Sequence, residues 1–140
     1  MKFDVEQRRL IYDRTSGYCH ICHKKLSFVN YGCGGEKGAW EVEHSRPQAK
    51  GGTHHGNNLY AACIKCNRDK SHHTTSTARG WNGTTRAPLS KLKKRQIRED
   101  NANICTVIGG VVGIMGGPIG IAAGAFVGRQ IGKNIALPKI

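Results

Sequence analysis

Two cysteine pairs, Cys19-His-Ile-Cys22 and Cys63-Ile-Lys-Cys66, constrain this 140-residue chain more than any other feature. A CxxC pair places two thiolates on one tight turn, and a second pair completes a tetrahedral four-sulfur site for zinc. The pairs stand about forty residues apart, so one shared ion would clamp an N-terminal knuckle onto a later element. Such a staple suits a chain of this length, which has room for one small domain and an appendage. The first residues hold no apolar leader, because Phe3 is followed by Asp4 and Glu6. The expectation is therefore a reducing, cytoplasmic setting, where CxxC pairs bind metal instead of oxidising. Cys33, in a glycine-rich loop, and Cys105, opening an apolar stretch, are given no role.

The formal charge is +13, from 22 Lys and Arg against 9 Asp and Glu. Mixed but strongly basic composition favours a polyanionic partner, nucleic acid or an anionic membrane surface. Along the chain, residues 4–16 read as a helix with Asp4 as N-cap and Gly17 as its stop. Trp40-Glu-Val-Glu-His44 alternates and reads as a strand, with Glu41 and Glu43 on one face and Trp40 and Val42 on the other. Residues 45–57 form a loop holding Pro47, Gly51-Gly52 and Gly56. Asn58 to Ala62 reads as a second strand and residues 63–73 as a helix. Residues 74–88, rich in Thr, Ser and Gly, read as a linker.

Between and just after the cysteine pairs, the order Glu43-His44, Asn58-Leu59, Asn67 resembles the HNH endonucleases, which are built on the ββα-metal motif. The likeness runs from Cys19 to about His73, roughly 40% of the chain, and includes Pro47 and Gly51-Gly52 in the loop. Asn67 stands where the family pattern ends in His or Asn, so this is an H-N-N variant. The resemblance implies hydrolysis of DNA phosphodiester bonds, with His44 as general base, Asn58 holding the loop and orienting His44, and Glu43 and Asn67 as ligands of a catalytic Mg²⁺ or Mn²⁺. It also implies that Cys19, Cys22, Cys63 and Cys66 hold a structural Zn²⁺. The chemistry agrees: an imidazole near neutral pKa can take a proton from water at pH 7, and oxygen donors suit hard cations. Glu41 shares a face with Glu43 and is either an extra ligand or a solvated carboxylate. His20, His23, His54, His55, His72 and His73 match no family position and are read as surface or phosphate-contacting groups. Lys70 either approaches a phosphate or is solvated.

Arg86 to Arg98 concentrates six basic residues in thirteen positions, a helix suited to a DNA backbone on one face. From Asn101 to Gly128 there is no charged residue, and glycines recur four apart as Gly109/Gly113/Gly117 and Gly116/Gly120/Gly124/Gly128. That spacing is a glycine zipper, either a membrane span or, since Gly116-Gly117-Pro118 interrupts it, a helical hairpin.

The expected fold is thus α+β: a small ββα-metal domain at residues 1–88 stapled by a four-cysteine zinc site, a basic helix at 89–100, and a glycine-zipper tail at 101–140. The expected partner is double-stranded DNA, with membrane association or homo-oligomerisation through residues 101–131. Two rival readings remain open at this level: a zinc-stapled nucleic-acid-binding module without catalysis, and a membrane-tethered or oligomerising nuclease effector.

Overall fold

The computed structural model describes residues 3–113 and 117–134. Helix α1 (Val5–Asp13) starts on a capping box, in which the Asp4 carboxylate accepts from Gln7 N at 2.7 Å and Gln7 Oε1 accepts from Asp4 N at 3.2 Å. The helix ends earlier than residue 16, at Asp13, and the chain turns through Gly17 at φ +75°. A Cβ there would stand 2.6 Å from the Tyr12 ring, so glycine is required both by the turn and by the packing.

Strands β1 (Trp40–His44) and β2 (Leu59–Cys63) pair antiparallel with Glu43 opposite Tyr60 and His44 opposite Leu59. Helices α2 (Ile64–Lys70) and α3 (Thr75–Trp81) follow without a long break. The core gathers Ile11, Tyr12, Ile21, Leu26, Trp40 and Leu59, with Tyr12 and Trp40 rings 5.3 Å apart. Alternation along β1 holds, yet both faces are covered: Trp40 is fully buried on one, and Glu43 is 1% exposed on the other. A strand buried on both sides shows the same period as a half-solvated one, so the pattern could not reveal that the acidic face is capped.

The segment expected as a linker contains α3. Thr74 caps it by accepting from Thr77 N, and Thr75 and Ala78 turn inward. The chain beyond α3 is tied back to the first knuckle by Thr84 Oγ1 donating to Ile21 O at 2.6 Å. Polar composition suggested a loose segment; capping and two small buried side chains made it structure.

The chain divides into two units, the first ending at Lys91. In the second, the basic helix and the tail are not separate: α4 (Lys91–Gly113) runs on through residue 100, and α5 (Gly117–Asn134) follows. Gly132 sits against Asn101 and Ala102, where a Cβ would meet backbone at 2.5 Å, so α5 returns along α4. Gly132 extends the Gly116/Gly120/Gly124/Gly128 series by four. Gly116 and the side-chain surroundings of residues 109–124, where most of the proposed zipper lies, fall outside the described residues. Among the described residues no helix is long and apolar enough to cross a membrane.

Candidate active site and metal centre

The four cysteines converge. Cys19 and Cys22 lie in the turn closed by the Tyr18–Lys25 bridge; Cys63 ends β2 and Cys66 sits in the first turn of α2. Their sulfurs all lie within 4.8 Å of one another, with Cys22 Sγ 3.9 Å from Cys63 Sγ. A tetrahedral ion with Zn–S of about 2.3 Å spaces its sulfurs by about 3.8 Å, so the cluster fits. The backbone N–H groups of Ile21, Cys22 and Cys63 donate to Cys19 Sγ at 3.3–3.5 Å, as a thiolate ligand would need. Sharing of protons within the cluster splits the thiols: contact with Cys19 lowers Cys22 and pushes Cys63 down to about 7, while Cys19 and Cys66 are raised. Among the described residues this is the one cluster of three or more His, Cys, Asp or Glu side chains set to hold a metal.

The knuckle also reaches the second site. His20, expected at the surface, is 2% exposed; its ring stacks on Tyr60 with centroids 3.8 Å apart, and its Nδ1 lies 2.8 Å from Glu43 Oε1. Arg79 of α3 donates to His20 Nε2 and, at 2.9 Å, to His20 O. A guanidinium only donates, so Nε2 carries the lone pair and the proton sits on Nδ1, pointing at Glu43. Burial lowers the His20 pKa against the opposing pull of Glu43, which keeps this imidazole neutral.

Glu43 receives a second hydrogen bond on Oε1 from Thr75 Oγ1 at 2.6 Å. Burial pushes its pKa up, but the His20 and Thr75 donors and the Lys70 charge outweigh burial and hold it below the usual carboxylate value. Oε2 is different. It lies 3.3 Å from the Lys70 ammonium, an ion pair without a hydrogen bond, while that ammonium donates to His44 O at 2.8 Å. Lys70 is therefore neither solvated nor free for a phosphate: it is 3% exposed.

Asn67 lies one helical turn before Lys70. Its amide donates to Glu41 Oε2 at 3.0 Å, which leaves Oδ1 without a partner among the described residues. Glu41 is part-exposed and attached, since Arg68 also reaches it at 3.3 Å. Glu43 Oε2, buried and lacking a hydrogen bond, and Asn67 Oδ1 are the oxygen donors that suit a hard divalent cation here.

His44 ends β1 and opens the loop of residues 45–58. Asn58 staples that loop from within: its Oδ1 accepts from Arg46 N at 2.7 Å, and its Nδ2 donates to Arg46 O and Thr53 O. Gly52 lies so close beneath Arg46 that a Cβ would stand 1.8 Å from the Arg46 carbonyl oxygen. The loop is thereby drawn tight around the His44 end of the strand. Burial, then the neighbouring His54 and Lys70 charges, lower the His44 pKa despite Glu43, so the imidazole is neutral at pH 7.

The residue that sequence reasoning missed is His54. Its Nδ1 lies 3.0 Å from His44 Nε2, and its Nε2 lies 2.7 Å from the Gln48 amide. Nothing in its spacing marked it out from His55, which instead accepts from Asn57 N within a turn. The others disperse: His23 meets the Arg86 carbonyl, and His72 and His73 contact each other, His73 also meeting Trp81 edge-on.

Residues 19–73 match the family model for HNH endonuclease. No curated protein and no solved structure matches the chain.

Proposed function

We propose that the HNH domain at residues 19–73 makes this chain a metal-dependent endonuclease that hydrolyses DNA phosphodiester bonds. The observation that carries the reading is His44 at the end of β1, on a loop stapled by Asn58, next in the strand to Glu43, whose Oε2 is ion-paired to Lys70 but accepts no hydrogen bond. His44 takes a proton from water, whose oxygen attacks phosphorus; the bond to the 3′-oxygen breaks, and that oxygen leaves with a solvent proton as a 3′-hydroxyl. The other strand end keeps the 5′-phosphate. A divalent cation, Mg²⁺ or Mn²⁺, held by Glu43 and Asn67, supplies Lewis-acid stabilisation of the charge that develops on the phosphate and leaving oxygen.

The remaining residues act on geometry. Lys70 ties His44 O to the Glu43 carboxylate, so the base and the metal-binding edge share one anchor. Arg79 orients His20, and His20 and Thr75 hold Glu43 Oε1, so that Oε2 is the edge facing Lys70. Zn²⁺ on Cys19, Cys22, Cys63 and Cys66 fixes the knuckle that carries His20 and the start of the helix that carries Asn67. In this reading the zinc is structural and shapes the site from behind.

The test is nicking of supercoiled plasmid in Mg²⁺ or Mn²⁺ by wild type, His44→Ala and Asn67→Ala. Loss of general-base catalysis is expected to slow His44→Ala by about 10²–10⁴-fold with DNA binding retained. A wild type that binds DNA but fails to cut with any divalent metal leaves a zinc-stapled DNA-binding module, and a His44→Ala that cuts at the wild-type rate removes His44 as the base.

A further inference from the structure

Helix α1 presents Phe3, Gln7 and Leu10 along one stripe, spaced four and three residues apart, with Phe3 just ahead of the first turn. The stripe shares with Asn57, Leu59 and His54 the lining of a groove of about 540 Å³. This volume falls within the range of about 300–1,000 Å³ usual for small-molecule sites. Leu10 is 65% exposed although it occupies a helix face beside the core, which its own packing does not require. The walls are apolar, and two amides look onto the space. The Asn57 side chain makes no hydrogen bond among the described residues, and Gln7 uses only its Oε1, leaving Nε2 as a donor.

Two links join the groove to the reacting centre. His54 lines the groove and at the same time contacts His44 Nε2 at 3.0 Å, so one imidazole ring links the groove to the general base. At the groove, Arg14 lies over the Tyr60 ring at 4.1 Å and donates to Leu59 O at 3.0 Å, which fixes a positive charge beside the apolar walls. Apolar faces, amide groups that read a heterocycle edge, and a fixed cation for the attached phosphate are the three needs of an extruded nucleotide.

We propose that this groove seats an unstacked nucleobase of the strand being cut, next to the scissile phosphate. The inference rests on the nuclease reading for its strand and deepens it: the preferred substrate is DNA whose bases leave the stack readily, single-stranded or mismatched, over perfect duplex. Extrusion is least costly where pairing is already broken. Leu10 and Phe3 provide the apolar faces, and Gln7 and Asn57 read the base edge. Selectivity then lies largely in Phe3, Gln7 and Leu10, outside the HNH match, with Asn57 the contribution from within it.

The experiment uses the full chain with its zinc, without added Mg²⁺ or Mn²⁺, and 2-aminopurine oligonucleotides as single strand, mismatched duplex and perfect duplex. Fluorescence reports unstacking of the base and anisotropy of an end label reports binding. Wild type is expected to raise 2-aminopurine emission several-fold on the mismatched duplex and to bind it at least five-fold tighter than perfect duplex. Leu10→Glu, at a position exposed enough to leave folding intact by circular dichroism, is expected to abolish both differences, and Asn57→Ala to weaken them. Equal emission from wild type and Leu10→Glu, or binding by wild type with no rise, overturns the proposal. A rise lost in Leu10→Glu in a protein that never cuts on later addition of metal upholds the groove and rejects the nuclease. A chain that binds none of the three DNAs overturns both.

Discussion

Glu43 and Lys70 form a buried pair whose worth can be measured directly. Both are nearly inaccessible, at 1% and 3% exposure, with Nζ and Oε2 3.3 Å apart. Breaking a buried ion pair by removing one partner costs about 3–5 kcal/mol, because the other charge is stranded. Here each single change belongs at the low end. In Glu43→Gln, Lys70 keeps its 2.8 Å bond to His44 O; in Lys70→Met, Glu43 keeps the His20 and Thr75 donors on Oε1. About 3 kcal/mol is expected for each, out of a total of about 5–15 kcal/mol for a domain of this kind. The double variant strands no charge. It loses the Lys70–His44 bond, about 1 kcal/mol, and exchanges carboxylate for amide acceptors at Oε1, about 2 kcal/mol more. The double change is therefore expected to cost about 3 kcal/mol as well, a coupling of about 3 kcal/mol and the upper end for residues in contact. Urea unfolding at constant saturating zinc, followed by tryptophan fluorescence, supplies all four corners of the cycle. Additivity within about 0.5 kcal/mol would refute the pairing and with it the anchor proposed for His44.

Four further outcomes follow from the same geometry. Stripping zinc is expected to unfold the first unit, since structural Zn²⁺ supplies about 10–16 kcal/mol in small domains, as much as the whole fold is worth; native-like near-ultraviolet dichroism in zinc-free protein would count against this. Because the His44 pKa is lowered, the midpoint of the acid limb of nicking should lie below the ordinary histidine value of about 6.5, and His54→Ala should shift that limb to higher pH by removing a repelling charge; a limb that stays put rejects that contact. For stability the sign is the same for His20 and His44: both bind protons more weakly folded than unfolded, so stability falls as pH drops through about 6.5, and falls again below about 4.3 as Glu43 protonates, which urea midpoints against pH will show. Gly52→Ala should cost about 1–3 kcal/mol and most of the activity, because its Cβ would press on the Arg46 backbone, whereas Gly34→Ala, with open space around it, serves as a near-neutral control.

What the sequence determined alone was everything written in short spacings. Two CxxC turns, an Asp4–Gln7 capping box, an alternating pentapeptide and the order Glu43-His44, Asn58, Asn67 each depend on a few neighbouring residues, and backbone geometry reads such patterns almost unaided. The segments that bear the site were legible for that reason. What only tertiary structure decided was the surroundings of each charge. Period two told which face Glu43 shares with Glu41, but not that α2 and α3 close over it, that Lys70 turns inward, or that His20 leaves the zinc knuckle to meet it. His54 looked the same as His55 until the Asn58-stapled loop carried it to His44. Ionisation and access depend on groups brought together from distant parts of the chain, and no local spacing encodes that convergence.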